Sequence, residues 1–359
     1  MTTKLDPWGP IKIENYEKLF SEFGIEPFEK FKEKFKDNRY VRRGIIFGHR
    51  DFDKIVNAIE NKKPFAMMTG LMPSGKFHFG HKMIAEEIIW FQSMGAEVYV
   101  CVADIEAYVA RDIDLERAKD IAREEYLLNY LALGLTGKNL HFYFQSNYKI
   151  PYYRFRDTLS KRATFNELSG IYGELTPGKI FAVFTQVADI LHPQLPEFSG
   201  PMHTVVPVGS DQDPHLRLTR DVAGKLNFIL PSSTYHKFME GLQGGKMSSS
   251  DPKSYTSLTE TPEEARKKIM SAKTGGRTTA EEQKTLGGIP EQCMIYEFFV
   301  YHLIEDDSEL AGIFHDCKAG KLRCGDCKMK CAELMGKFLV EHRKKRENAR
   351  ATADKILGN

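Results

Sequence analysis

Apolar and polar stretches alternate along the middle of the chain in a way that predicts strands followed by helices. Apolar runs of strand length occupy residues 65–68, 97–103, 140–144 and 204–208. Helical patterns lie between them, at residues 82–93 and 115–133. Strands that alternate with helices are typical of a parallel sheet with helices on both faces. We therefore predict an α/β fold built on a doubly wound parallel sheet.

The two ends of the chain have different patterns. A charged amphipathic stretch at residues 16–36 predicts helices packed on a larger body. Beyond residue 255 the strand signals fade, and the chain ends in a long helix predicted over residues 329–356. Its basic cluster HRKKR, residues 342–346, fits either a solvated helix face or a contact with a polyanion. We predict an N-terminal helical appendage (1–60), a Rossmann-type catalytic domain with a connective insertion (61–255) and a C-terminal helical domain (256–359).

The composition narrows the class of protein. With 359 residues, 42% of them hydrophobic, the chain can bury a large core, which excludes a peptide, a fibre and a disordered chain. The net charge is +2, from 51 basic and 49 acidic residues, so no overall basic field indicates a nucleic-acid partner. No apolar run approaches the roughly 20 residues of a membrane span, and the first residues lack the apolar core of a signal peptide. We expect a cytoplasmic protein with no membrane partner.

The first candidate site is the segment GLMPSGKFHFGH, residues 70–81, between a predicted strand and a predicted helix. Backbone N–H groups and the helix dipole favour a phosphate at such a place. His78 and His81 lie on one helical face, where both imidazoles can donate hydrogen bonds to a polyphosphate. Gly80 leaves a patch without a side chain, against which a purine can lie. Taken alone, the pattern HxGH also fits a metal site or a buried core pair.

The second candidate site is the segment GGKMSSS, residues 244–250. Its glycines permit a mobile loop, Lys246 offers a positive charge to a phosphate, and three serine hydroxyls supply donors. The spacing is not that of a Walker A loop. By composition alone, the segment fits a phosphorylatable linker as well as a catalytic loop.

Together, the two segments resemble the HIGH and KMSKS motifs of class I aminoacyl-tRNA synthetases. The resemblance implies an ATP site at the carboxyl ends of the strands, with Mg²⁺ on the phosphates. It implies catalytic roles for His78, His81, Lys246, Ser248 and Ser249. It implies contacts with ATP for Ser74, Gly80, Gly209, Asp211, Met247 and Ser250.

The remainder of the chain is similar to the tryptophanyl-tRNA synthetases of that class. The run VPVGSDQDPHLRLTRDVA, residues 206–223, resembles the family segments PxxxDQDP and TRDxA. The segment QVADIL resembles the bacterial segment whose aspartate, here Asp189, accepts the indole N–H. Met68 and Cys101 stand where archaeal members carry a tyrosine and a glutamine that contact the substrate. The substrate-binding residues implied by the resemblance are Thr69, Gly70, Glu106, Gln186, Asp189 and Gln212.

The resemblance implies a tryptophan–tRNA ligase that joins L-tryptophan to ATP, releases pyrophosphate and transfers tryptophan to the 3′ end of tRNA(Trp). It also implies a homodimer. A tyrosine–tRNA ligase is the nearest rival, because tyrosyl enzymes share the layout PSGKxHxGH and a segment like ADIEAY. A tRNA-associated protein that binds without catalysis and a small HIGH-type nucleotidylyltransferase also fit parts of the pattern. The presence of both motifs and of a helical tail argues against these two classes.

Four of the six cysteines fall within residues 317–331, which does not suit a disulfide scaffold in a chain of this length. Cys293, Cys317, Cys324 and Cys327 have the spacing Cx23Cx6Cx2C, which fits a site of four thiolates. Zinc and iron–sulfur clusters both accept such a set. Some tryptophanyl-tRNA synthetases carry a four-iron, four-sulfur cluster on similar cysteines, so the resemblance adds that cluster to zinc as a candidate. Reduced structural thiols are the third interpretation.

Overall fold

A computed structural model describes residue 20, residues 23–245, residue 247 and residues 251–358 of the protein. Within them, one sheet has the strand order β1-β2-β7-β6-β3-β4-β5. The strands are β1 (Glu26–Pro27), β2 (Ile46–Arg50), β3 (Phe65–Leu71), β4 (Glu97–Val102), β5 (Leu140–Phe144), β6 (His203–Gly209) and β7 (Ser232–His236). The strands from β7 to β5 run parallel, and β2 and β1 extend one edge in antiparallel orientation. The predicted parallel sheet is confirmed.

Helices follow most of the parallel strands, as the alternating pattern predicts. They are α1 (Arg39–Arg42), α2 (Phe52–Glu60), α3 (Phe79–Ser93), α4 (Asp104–Arg111), α5 (Leu115–Ile121), α6 (Leu128–Leu133), α7 (Ile150–Leu159), α8 (Phe165–Tyr172), α9 (Pro177–Leu191) and α10 (Asp213–Lys225). A π-helical turn, Ala122–Leu127, joins α5 to α6. The helix predicted at residues 115–133 is therefore one helical run with a π-turn in its middle.

The sheet separates two hydrophobic cores because neighbouring side chains of a strand point to opposite faces. On β3, Phe65 and Met67 belong to one core, and Ala66 and Met68 belong to the other. The first core takes in α3 and the C-terminal helices, whereas the second takes in α7 to α10. The two candidate regions, around His78 and around Asp189, therefore lie on opposite sides of the sheet and meet at the carboxyl ends of its strands.

The N-terminal region differs from the predicted helical appendage. Residues 46–50 form β2, which pairs with β7 and extends the main sheet. The short sequence IFGHR carries little strand signal of its own, and a partner almost 190 residues away in sequence gives it that conformation. The expectation of helices alone is wrong for this part of residues 1–60. Residues 16–19, 21 and 22 of the amphipathic stretch lie outside the described residues.

The C-terminal region is helical, as predicted. Its helices are α11 (Pro262–Ser271), α12 (Ala280–Leu286), α13 (Met294–Phe298), α14 (Asp307–Lys318) and α15 (Cys324–Leu357). The helix predicted at residues 329–356 is confirmed as α15. In the basic cluster of α15, residues 343–345 are exposed, but His342 is buried and Arg346 is half-buried. Among the described residues, no helix has both the length and the apolar character that crossing a membrane requires.

Candidate active site

The segment between β3 and α3 places the two histidines side by side. His78 is the extended residue that precedes α3, and its imidazole stacks on that of His81 with 3.8 Å between the ring centroids. The backbone N–H of His78 donates to Nδ1 of His81 over 3.2 Å. The remaining proton of a neutral His81 ring is therefore on Nε2. The two rings share one face, as the spacing predicts, and His81 keeps one N–H to donate.

Both imidazoles are neutral at physiological pH. Burial lowers the pKa of His78 to about 4. Burial also holds the pKa of His81 well below its ordinary value, and the neighbouring His78 lowers it further. Nδ1 of His78 is buried and has no hydrogen-bonding partner among the described residues. The pair therefore offers neutral ring N–H donors rather than positive charges.

The two motif segments lie close together. A Cβ atom placed on Gly80 would be 3.1 Å from the His78 ring and 3.5 Å from the sulfur of Met247, which belongs to the second segment. The N–H of Leu258 donates to the carbonyl of Phe77 over 2.9 Å, so the chain beyond the second segment is also held beside α3. The patch over Gly80 borders the buried Met247 side chain. Lys246, Ser248, Ser249 and Ser250 lie outside the described residues.

The DQDP run follows β6 at the same edge of the sheet. A Cβ atom on Gly209 would lie 2.1 Å from the Phe238 ring, so packing alone requires glycine there. Asp211 is buried and Gln212 is half-buried in the 3₁₀ turn that precedes α10. The fully buried Asp213 accepts from Arg50 over 2.8 Å and from the Tyr235 hydroxyl over 2.6 Å. Asp213 therefore joins α10 to β2 and β7 and has a structural role.

On the other face of the sheet, Asp189 of α9 is enclosed by hydrogen-bond donors. Oδ1 accepts from the hydroxyls of Tyr143 and Tyr152 over 2.8 and 2.7 Å, and Oδ2 accepts from Nε2 of Gln145 over 2.9 Å. The thiol of Cys101 is a fourth donor. Burial raises the pKa of Asp189 to about 6, although the four donors oppose that rise. Sequence reasoning singled out Asp189 but missed Tyr143, Gln145 and Tyr152.

The other predicted substrate residues lie at or beside this edge. Thr69 is buried and Gly70 is exposed near the end of β3, where Gly70 pairs in register with Cys101 of β4. Glu106 lies in the first turn of α4, and Gln186 is half-buried on α9, one turn before Asp189. Ser74 is half-buried in the loop before α3. Those predicted nucleotide- and substrate-binding residues that the structure describes therefore lie at or after the ends of β3, β4 and β6 or on α9.

Three comparisons with known proteins bear on this arrangement. Residues 60–340 match the family model described as "tRNA synthetases class I (W and Y)". The chain belongs to this family. It is 51% identical to the tryptophan–tRNA ligase of Hyperthermus butylicus, an alignment that covers 99% of this chain and 97% of that protein. It is 49% identical to the corresponding ligase of Aeropyrum pernix, with 99% and 98% covered.

Solved structures of family members have the same fold. The crystal structure of the tryptophanyl-tRNA synthetase from Aeropyrum pernix matches with a TM-score of 0.92 at 49% identity and covers 98% of both chains. The tryptophan-bound synthetase of Encephalitozoon cuniculi matches with a TM-score of 0.84 at 26% identity and covers 97% of this chain and 98% of that one. The predicted family and fold are confirmed.

In the helical part of this family member, the four predicted metal-site cysteines face one another. Burial, with smaller contributions from the neighbouring Cys293, Cys317 and Cys324, raises the pKa of Cys327 to about 11. A Cβ atom on Gly276 would lie 2.5 Å from the Cys324 sulfur, and one on Gly288 would lie 2.7 Å from the Cys317 sulfur. The backbone approaches the thiols so closely at both turns that a side chain at either glycine would displace the neighbouring sulfur. Cys331 is fully buried in the first core.

The described residues contain one compact group of three potential metal ligands, Glu26, His49 and Asp53. The ammonium of Lys30 already lies 3.3 Å from Glu26 and 2.8 Å from Asp53. Nδ1 of His49 accepts from the N–H of Phe52 over 3.4 Å, which places the ring proton on Nε2. An ion pair that holds the two carboxylates accounts for this group without a metal.

Proposed function

We propose that the chain is a tryptophan–tRNA ligase. The observation that carries this proposal is the meeting of the two motif segments at Gly80 and Met247, in a chain whose full-length relatives are tryptophan–tRNA ligases. The tryptophan carboxylate attacks the α-phosphorus of ATP, the bond to pyrophosphate breaks, and the 3′-terminal adenosine of tRNA(Trp) then accepts the aminoacyl group. Such a transfer needs positioned donors and no protein nucleophile.

At the nucleotide end, we assign His78 and His81 to the phosphates. Their neutral N–H groups add to the positive end of the α3 dipole at the position where a polyphosphate binds. Lys246, Ser248 and Ser249 stabilise the departing pyrophosphate, and Ser74 and Ser250 add contacts to ATP. Gly80 and Met247 contact the adenine, while Gly209 and Asp211 contact the ribose. Mg²⁺ would accompany the phosphates and neutralise part of their charge.

At the tryptophan end, we assign Asp189 as the acceptor of the indole N–H, which would take the place of one of the four donors around this carboxylate. Its buried carboxylate is oriented by donors from β5 and α7. Gln212, Glu106 and Gln186 supply polar contacts at the amino-acid end. Thr69 and Gly70 shape the pocket from β3. Met68 and Cys101 give this pocket apolar and thiol contacts on the face that Asp189 occupies.

Amino-acid-dependent ATP–pyrophosphate exchange tests the proposal, with tryptophan and tyrosine assayed in parallel. We expect exchange with tryptophan and at most background exchange with tyrosine. Exchange with tyrosine alone would leave the nucleotide site intact but would contradict the assignment of Asp189. Exchange with neither amino acid would contradict the enzyme proposal and favour a protein that only binds tRNA.

We propose that Cys293, Cys317, Cys324 and Cys327 hold a four-iron, four-sulfur cluster. Cys293, Cys317 and Cys324 lie near enough to Cys327 to act on its pKa, and four cysteine thiolates are the ligand set of such a cluster. The cluster would cross-link α14, α15 and the turn before α13. An absorbance band near 400 nm and iron in anaerobically purified protein are expected; colourless protein that contains zinc would contradict iron.

We propose a homodimer that acts on tRNA(Trp) in the cytoplasm. Large apolar side chains are exposed on α4 and on α7 to α9, namely Tyr108, Val109, Ile150, Phe165 and Phe181. Exposed apolar side chains on several helices suit an interface between two copies. Residues 343–345 of α15 offer exposed positive charge to RNA phosphates. Light scattering should give twice the mass of the chain, and a monomeric mass would contradict the dimer.

A further inference from the structure

The loop before α3 is held by one buried carboxylate. Glu125 accepts from the ammonium of Lys76 over 2.6 Å and from the backbone N–H of Phe77 over 3.1 Å. The next residue, Tyr126, donates its hydroxyl proton to the carbonyl of Met72 over 3.3 Å. These contacts fix both ends of residues 72–77, directly before His78. Glu125 and Tyr126 therefore determine where the first motif begins.

Glu125 and Tyr126 lie in the π-helical turn Ala122–Leu127. Such turns are rare and are found frequently at functional sites. The ring of Tyr126 also lies 5.3 Å from that of His81 and 5.5 Å from that of Phe77. The π-turn thus touches the loop and one of the two proposed phosphate donors.

The π-turn is itself fixed to the C-terminal helix. Nδ2 of Asn129 donates to the carbonyl of Glu125 over 2.6 Å. Its Oδ1 lies 2.6 Å from Nε2 of His342 on α15. Since Oδ1 can only accept, His342 donates through Nε2. Burial lowers the pKa of His342 to about 3, so the ring is neutral and this proton arrangement holds at physiological pH.

Arg346 strengthens the same junction one turn further along α15. Its guanidinium donates to the carbonyl of Glu124, next to Glu125. His342 and Arg346 thus face the catalytic domain from the very cluster whose residues 343–345 are exposed. A displacement of α15 cannot occur without straining the contacts that hold Glu125.

We propose that Glu125 and His342 are positioning residues that couple α15 to the ATP site. Contact of RNA with the exposed face of α15 would shift His342, and the shift would pass through Asn129 to Glu125. It would thereby change the placement of His78 and His81. The coupling rests on the proposed ligase function. It predicts that a substitution in the helical region, remote from ATP, changes amino-acid activation in the absence of tRNA.

Tryptophan-dependent pyrophosphate exchange by full-length variants tests this proposal. We expect E125Q to lower kcat by about 10- to 100-fold, because a small misplacement of reacting groups has that cost, with the KM for tryptophan within about twofold of the parent value. H342F keeps an aromatic ring beside Phe338 but loses the donor, and should lower kcat by about 2- to 30-fold. H342Q keeps a donor near the Nε2 position and should restore most of that loss. K337A, at an exposed position of α15, is the control and should leave kcat unchanged.

Two further measurements distinguish coupling between α15 and the ATP site from a general loss of stability. The effects of E125Q and H342F should combine to less than their product, because both act on one path. Amide hydrogen exchange of residues 72–77 should be faster in H342F than in H342Q, at similar thermal stability. Equal kcat values for H342F and H342Q, or fully multiplicative effects, would overturn the coupling. A parent protein without exchange activity would refute the ligase function, while the hydrogen-exchange comparison would still test the coupling.

Discussion

The two ends of the proposed active site differ in charge and in the kind of hydrogen bond that they offer. At the nucleotide end, His78 and His81 are neutral donors, and we assign them to a ligand that brings its own negative charge. At the tryptophan end, we assign Asp189 to an uncharged N–H, and its carboxylate accepts from Tyr143, Tyr152 and Gln145. A site that binds an anion can use neutral donors, whereas the proposed site for a neutral ring contains a buried carboxylate, whose charge must be stabilised by hydrogen-bond donors.

Substitution of His81 should cause the largest loss of activity. It should lower kcat without changing the affinity for tryptophan. H81L removes the Nε2–H donor, and loss of one such donor costs about 10²- to 10³-fold in kcat. The affinity for tryptophan, measured by calorimetry without ATP, should remain within about twofold, since additive effects are expected between distant sites. H81Q, which keeps a donor near that position, should be less impaired. Equal losses of kcat and of tryptophan affinity in H81L would contradict the separation of the two ends.

Substitution of Asp189 should weaken the binding of tryptophan and leave the nucleotide end unchanged. In D189N the acceptor is uncharged, and a hydrogen bond to a charged group is worth about 1.5–3 kcal/mol, so the dissociation constant for tryptophan should rise about 10- to 150-fold. The KM for ATP should change little. D157N, at an exposed carboxylate on the neighbouring α7, is the matched control. Unchanged tryptophan affinity in D189N would show that another group accepts the indole N–H.

Removal of a single donor from Asp189 should have the smallest effect. Y143F deletes one of the hydrogen bonds that lower the pKa of Asp189, so that pKa should rise and the charged acceptor should be less populated at neutral pH. The tryptophan affinity should fall by about fivefold, roughly 1 kcal/mol, because the carboxylate loses one donor but keeps the others. Tyr148 stacks on Tyr143 with 4.1 Å between ring centroids, and Y148F serves as the matched control. Equal effects of the two variants would point to aromatic packing rather than to the carboxylate.

The sequence predicted those elements and site residues that depend on neighbouring positions in the chain. The strands β3 to β6 and the helix α3 follow from local apolar patterns, and His78 and His81 belong to one continuous motif. The strand β2 was missed because its partner β7 lies far away in sequence. Element identity is set there by tertiary pairing rather than by local propensity.

The environment of Asp189 was beyond sequence reasoning for a similar reason. Its donors come from β4, β5, α7 and the residue that follows β5, and no spacing along the chain joins these to α9. Glu125 carries no motif signal, because its role depends on a π-turn that side-chain periodicity does not indicate. The glycine pairs at residues 275–276 and 287–288 predicted turns. Their close approach to the cysteine sulfurs could not be predicted, because it depends on the tertiary fold.

The most direct test is the pH dependence of pyrophosphate exchange by the unmodified protein. It distinguishes a charged Asp189 at the tryptophan end from neutral histidines at the nucleotide end. The free Asp189 carboxyl is protonated below its raised pKa of about 6, and the indole N–H favours the charged form, so tryptophan affinity is full above that pKa and lost as pH falls through it. The histidines stay neutral because burial holds the pKa of His78 at about 4. We predict that the KM for tryptophan rises as pH falls from about 7.5 to 5, by at most tenfold per pH unit, while kcat at saturating substrate stays level. A kcat that follows a group titrating near 6.5, the ordinary value for histidine, with a level KM for tryptophan, would contradict this account.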